Sequence, residues 1–197
     1  RKQLSRTLFP LGEYTKAKVR KIARSMELET AYGAESQDFV ARNDYAVLFN
    51  EEEVKSGDIV DENLNLLGRH RGIIHYTIGQ RRGLGIASDR PLYVTKIDTE
   101  NNRIVVGDRE NLFSKGLIAK DLNLVAIDRL DRQHKIGAKI RLNHQEIPAT
   151  LFPHGNDRAK ILFNTPQMSV APGQSAVFYR GDTVLGGGII ERALRSN

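Results

Sequence analysis

The chain contains no cysteine. That excludes disulfides, thiolate metal sites and a cysteine nucleophile within it. It contains no apolar run long enough to span a membrane as a helix and no N-terminal apolar stretch of the signal-peptide kind. No membrane partner is therefore expected, and a cytoplasmic setting fits a chain without cysteines. No Walker-type phosphate loop is present. His70 and His75 stand five apart with neither carboxylate nor cysteine around them, so no metal is assigned. No Ser-His-Asp set can be supported from spacing, because such triads assemble in space. Internal repeats and low-complexity tracts are also missing. On its own residues the chain reads as a binding module with no catalytic group and no cofactor of its own.

What it does have is basic charge and a core. With 197 residues and 40% hydrophobic content, one large or two to three small domains are expected. The net charge of +6 favours an acidic partner such as RNA, although most lysines and arginines must occupy solvated faces. The densest basic stretch is Gly68-Arg69-His70-Arg71-Gly72-Ile73-Ile74-His75-Tyr76-Thr77-Ile78-Gly79-Gln80-Arg81-Arg82-Gly83-Leu84-Gly85-Ile86. It holds four arginines, two histidines, one tyrosine and five glycines in nineteen positions, without an acidic residue. Forked guanidinium donors suit phosphate, and Tyr76 offers a face for an unpaired base. A solvated basic turn is the competing explanation.

The pattern along the chain predicts its elements. Thr15 can cap a helix starting at Lys16, and Val19, Ile22, Ala23 and Met26 give that helix one apolar stripe. Lys16, Lys18, Arg20, Lys21 and Arg24 take its other positions, as a solvated face or an RNA-facing one. Asn43 to Glu53 is compatible with a short helix. From Gly57 the texture becomes β. Two short strands, Asp58–Asp61 and Asn63–Gly68, precede a candidate strand Ile73–Ile78. Leu92–Ile97 and Arg103–Gly107 form a hairpin turned by Asn101-Asn102. Further strands are expected at Asp121–Ile127, Ile136–Asn143, Glu146–Pro153, Arg158–Phe163, Gln174–Tyr179 and Thr183–Arg192. Short strands punctuated by Gly and Pro argue for a closed or sandwich-like antiparallel barrel. Gly186-Gly187-Gly188 marks a bulge or close backbone contact. His144 reads as a surface histidine, and Asp38, beside Ser36 and Gln37, as a loop cap, with acid–base assistance the alternative. The fold class is mainly β with a short N-terminal helical segment. The expected divisions are 1–45, a small central β domain at 46–116 and an antiparallel β-barrel at 117–197.

Several of these strings resemble the tRNA-specific 2-thiouridylase family. They are Leu8-Phe9-Pro10-Leu11-Gly12, the helix Lys18-Val19-Arg20-Lys21-Ile22-Ala23, Glu35-Ser36-Gln37-Asp38-Phe39, Gly57-Asp58-Ile59-Val60-Asp61, the strings Leu67 to Gly72 and Tyr76 to Ile86, Ala171-Pro172-Gly173-Gln174-Ser175-Ala176-Val177-Phe178-Tyr179, and Leu185-Gly186-Gly187-Gly188-Ile189-Ile190. They follow the family's order over nearly the whole chain. The resemblance implies a parent enzyme that adenylates C2 of the wobble uridine of certain tRNAs with ATP and Mg, after which a persulfide sulfur displaces AMP. A sulfur-donor protein would be a partner of the parent, expected to be a cytoplasmic monomer. The implied architecture is an N-terminal PP-loop ATPase domain, a central β domain and a barrel resembling those of translation elongation factors.

The chain begins at Arg1, so residues 1–45 are expected to be the end of the PP-loop domain. Neither the Ser-Gly-Gly-Val-Asp-Ser loop nor the family's Asp-x-x-Cys segment is present, and the chain alone is expected to be inactive. The persulfide cysteine that usually follows Ser-Gln-Asp-x is here Val40, which has no nucleophile. For tRNA contact the resemblance points to Arg141 and Leu142 on a barrel strand and to Gln174 at the Pro172-Gly173-Gln174 corner. Arg81 and Arg82 fit phosphate positioning. A non-catalytic RNA-binding barrel derived from the family is the competing reading. A translation-factor barrel is a third, weakened by the lack of a GTPase loop.

Overall fold

A computed structural model describes residues 3–33, 54–142 and 145–195. The helix expected at Asn43 to Glu53, the Glu35–Val40 segment with Asp38, and His144 lie outside those residues. The chain divides into two units, Arg1–Tyr45 and Ala46–Asn197.

In the first unit, α1 (Lys16–Ser25) starts where the cap predicts, with Thr15 Oγ1 accepting the Lys18 N–H at 3.3 Å. Val19, Ile22 and Ala23 are half-buried along one stripe, and Met26 beyond the helix is exposed. Leu8 and Phe9 are exposed as well.

The second unit carries a four-stranded sheet and a closed barrel. The sheet comprises β1 (Gly57–Val60), β2 (Leu66–His70), β3 (Tyr93–Asp98) and β4 (Arg103–Gly107), in the order β2-β1-β4-β3. Its outer pairs are antiparallel, while β1 and β4 run parallel, making it mixed. Asn102 turns the β3–β4 hairpin at φ +49°, the left-handed geometry that asparagine tolerates. Ile59, Val94, Ile104 and Val106 form the sheet's core, closed over by Tyr76 and Leu84 from the long basic loop.

Ile73–Ile78 is not a strand. Ile73–His75 makes a single 3-10 turn instead. Gly72 at φ +127° redirects the chain, and the His75 and Tyr76 N–H groups bond back to Gly72 and Ile73. The alternating apolar residues serve to lid the sheet core rather than to pair.

The barrel is formed by β5 (Phe113–Leu124), β6 (His134–Lys139), β7 (Ile147–Pro153), β8 (Arg158–Met168), β9 (Ser175–Arg180) and β10 (Thr183–Arg195), closing in the ring β10-β5-β8-β7-β6-β9. All its pairs are antiparallel, and closure leaves no unpaired edge. Leu117, Ala138, Leu151, Ile161, Phe178 and Leu185 point into the core. Full burial of Phe178 alone is worth roughly 1.5–3 kcal/mol. Strand limits differ from the pattern at several places. β5 opens at Phe113, well before Asp121. β6 stops at Lys139, so Arg141 and Leu142 lie past the strand rather than on it. β10 passes close to β5 at Gly186 (φ +155°), where a Cβ would collide with the Asn123 carbonyl.

Candidate nucleic-acid interface

On β9, Ala176 and Phe178 point inward, leaving Ser175, Val177 and Tyr179 on the outer face. Beside them β6 ends at Lys139, which pairs with Val177. Lys139 Nζ sits 5.4 Å from the centre of the Tyr179 ring, a cation–π contact. Arg141 and Leu142 continue from the end of β6, and the Gly173-Gln174 corner enters from the other side. Together these residues line one open groove of about 810 Å3. Arg141, Leu142 and Gln174, distant in sequence, are thereby brought together.

The groove combines an exposed apolar tip, an open amide and an aromatic face. Leu142 is 94% exposed, an apolar tip standing free beside charged neighbours. The Gln174 backbone closes the barrel: its carbonyl accepts the Ile190 N–H at 2.7 Å and its N–H bonds to the Ala171 carbonyl. Its side chain is exposed and makes no hydrogen bond among the described residues, so donor and acceptor are both open. The ring of Tyr179 supplies an aromatic wall.

Arg141 is only partly available. Its Nη2 donates to the carbonyls of Met168 (3.3 Å) and Ser169, fixing the turn that follows β8. Three of the five guanidinium N–H donors can still meet a phosphate at most, once two are spent on carbonyls. Ser169 is buried at φ +57°, and its N–H bonds to the Leu112 carbonyl. Its side chain packs on Gly79 of the basic loop.

That loop is organised by Gln80, whose Oε1 accepts the Thr77 N–H and whose Nε2 donates to the Arg82 carbonyl. Arg81 and Arg82 are exposed. Arg81 lines a separate depression of about 240 Å3 with Gly83, Ser88 and Arg90. Arg90 is engaged with Asp108 at 3.0 Å. The two arginines are therefore not in the groove.

Tyr76 is not a stacking platform. It is 8% exposed and meets His70 edge-on, with ring centres 5.8 Å apart. His70 is itself 1% exposed. Its Nδ1 accepts the Gly72 N–H and its Nε2 donates to the Asn102 carbonyl, each at 3.0 Å. The loop's aromatic and one of its histidines thus serve structure, locking β2 to the β3–β4 turn.

Three family models match the chain in succession. A tRNA methyl transferase HUP domain covers residues 1–41, a tRNA methyl transferase PRC-barrel domain covers 46–108, and an aminomethyltransferase beta-barrel domain covers 114–190. The chain is 47% identical over 194 residues to a tRNA-specific 2-thiouridylase MnmA of Acetivibrio thermocellus, covering 96% of this chain and 54% of that protein. It is 48% identical over 196 residues to the MnmA of Carboxydothermus hydrogenoformans, covering 97% and 54%. The corresponding protein of Natranaerobius thermophilus is 47% identical over 196 residues, covering 97% and 53%.

The chain belongs to the tRNA-specific 2-thiouridylase family.

It spans about half the length of the curated relatives it matches. Among the described residues no helix is long and apolar enough to cross a membrane. The one α-helix among the described residues has its Lys18 N–H already taken by Thr15, and no glycine-rich loop precedes it. No step through ATP is therefore assigned to these residues. Lys139, Ser175 and Tyr179 were missed as groove residues. The period-2 alternation of β9 carried the signal for Ser175 and Tyr179, but reading it required knowing that β9 lies beside β6.

Proposed function

We propose that this chain is the tRNA-docking portion of a tRNA-specific 2-thiouridylase, whose parent transfers sulfur to C2 of a wobble uridine. The carrying observation is the shared groove of Arg141, Leu142 and Gln174. An unpaired base can lie against Leu142 and the Tyr179 ring, while Gln174 reads a base edge or ribose hydroxyl. Arg81 and Arg82, outside the groove, contact phosphate and set register. ATP with Mg, a sulfur-donor protein and adenylating chemistry belong to the parent, a cytoplasmic monomer. The chain by itself binds tRNA without turnover.

The test is binding of the chain to a wobble-uridine tRNA and to an unrelated duplex RNA of equal length, across a salt series. Tighter binding to the tRNA that weakens with salt supports docking. Equal or absent binding overturns it. Val40 favours a second reading, a family-derived RNA binder that no longer thiolates. Thiolation by the full-length parent, with and without Val40→Cys, separates the two: activity gained only with cysteine supports the second reading.

A further inference from the structure

The strand ring places β6 and β9, which carry the groove, directly across the barrel from β5 and β8. On that far wall lies a second depression, of about 670 Å3. Its floor is apolar: Ile118 is 1% exposed although it points away from the barrel core, and Leu162 and Leu194 adjoin it. Its rim carries the cations Lys115, Lys160, Arg192 and Arg195, with His154 beside them. No carboxylate lines it.

Strand register explains the arrangement. Lys160 on β8 and Arg192 on β10 are both paired with Ile118 on β5. Cross-strand partners share a face, so the two cations flank Ile118 about 10 Å apart, two strand spacings. Glu191, next to Arg192 in sequence, bonds Arg158 at 2.9 Å, and Glu62 stands 3.8 Å from Arg195, offsetting that one rim cation. Among the described residues no ion pair involves Lys115, Lys160 or Arg192. Three uncompensated cations over an apolar floor form a focused positive field that an anionic ligand offsets. Their spread across three strands suits a chain of phosphates rather than a single compact anion.

We propose that this far wall is a second RNA-backbone contact, taking phosphates from a segment of the bound tRNA other than the one in the groove. The proposal rests on the tRNA-docking reading above. Because the two walls oppose each other, their contributions to binding are separate and add.

The experiment measures tRNA affinity of the chain across a salt series for wild type, Lys160→Gln/Arg192→Gln, Lys160→Arg/Arg192→Lys, and Gln174→Ala, with thermal melts as a check on folding. The glutamine pair is expected to bind roughly tenfold more weakly at low salt, with the log K against log salt slope shallower by about 1.5. The charge-preserving pair keeps the wild-type slope, and adding Gln174→Ala to the glutamine pair gives an additive loss. If wild type binds tRNA but the glutamine pair leaves the slope unchanged, the second contact is wrong while the docking reading stands. A slope lost equally in the charge-preserving pair also overturns the contact, since charge is then not the cause. If wild type does not bind tRNA, both readings fall.

Discussion

Arg141 donates through Nη2 to the carbonyl of Ser169, the residue whose side chain rests on Gly79. One guanidinium thus stands between the groove and the basic loop. Ser169 is the hinge-pin of this contact: buried, left-handed at φ +57°, and bonded through its N–H to Leu112 just ahead of β5. The position of the Gly79-Gln80-Arg81-Arg82 turn is set from the barrel side by this packing, and from within by the Gln80 side chain.

Arg141 and Arg82 are both candidates for RNA contact, yet their replacement should differ. Arg82 is exposed, and only its carbonyl is used internally. Arg82→Ala should weaken tRNA binding by about 1 kcal/mol and leave stability unchanged. Arg141→Ala should weaken binding by a similar amount and also cost about 1–2 kcal/mol of folding stability, since two carbonyls lose a charged donor. Urea unfolding beside tRNA titration separates the two. Equal stability of both variants would contradict the clamp.

Gly79 takes φ +88°, and a Cβ there would collide with Ser169 Oγ. Gly79→Ala should therefore cost about 1–3 kcal/mol through the strained backbone and the clash together. Ser169→Ala removes the clashing oxygen but not the strain. The double variant should recover part of the loss, giving a coupling of at least about 0.5 kcal/mol in a double-mutant cycle. Strict additivity would mean that Gly79 and Ser169 do not touch.

Two exposed turns carry acid-sensitive carboxylates. Asp61 is held below the usual carboxylate value chiefly by the Asn65 side-chain amide, with the Asn65 and Asn63 N–H groups adding to it. Asp98 is held low in the same way by the Asn101 side chain and N–H. A carboxyl depressed in the folded state contributes stability that is fully present above its unfolded value of 3.8. That contribution fades as pH falls through the lower folded value. Asp61→Asn/Asp98→Asn should lower stability at neutral pH and flatten its loss between about pH 5 and pH 2, so that variant and wild-type curves converge in acid. Parallel wild-type and variant curves over that range would contradict the assignment.

Elements with local causes were legible in the sequence. The Thr15 cap, the α1 stripe and the Asn101-Asn102 turn each depend on residues within a few positions. Features set by distant partners were not. Ile73–Ile78 alternates like a strand, but its alternation lids the sheet core, and Tyr76 is consumed in doing so. β8 was expected to end at Phe163, before Asn164-Thr165-Pro166. It continues to Met168 because the register with β5 shifts between Ser114 and Gly116, so Pro166 falls in a bulge where no ladder N–H is needed. In the groove, Arg141, Leu142 and Gln174 came from the resemblance to the 2-thiouridylases. The role of Lys139 and Tyr179 required the β6–β9 pairing, and the Arg141 bond to Ser169 required a left-handed serine that no pattern announces.

The central claim is that the groove of Arg141, Leu142 and Gln174 receives tRNA. It is tested most directly by the tRNA affinity of Leu142→Ala/Gln174→Ala at several salt concentrations. Both side chains are exposed and uncharged, so the variant should fold as wild type. The account predicts at least roughly tenfold weaker binding with an unchanged salt slope, because stacking and base-edge contacts release no counterions. Wild-type affinity in that variant would contradict it.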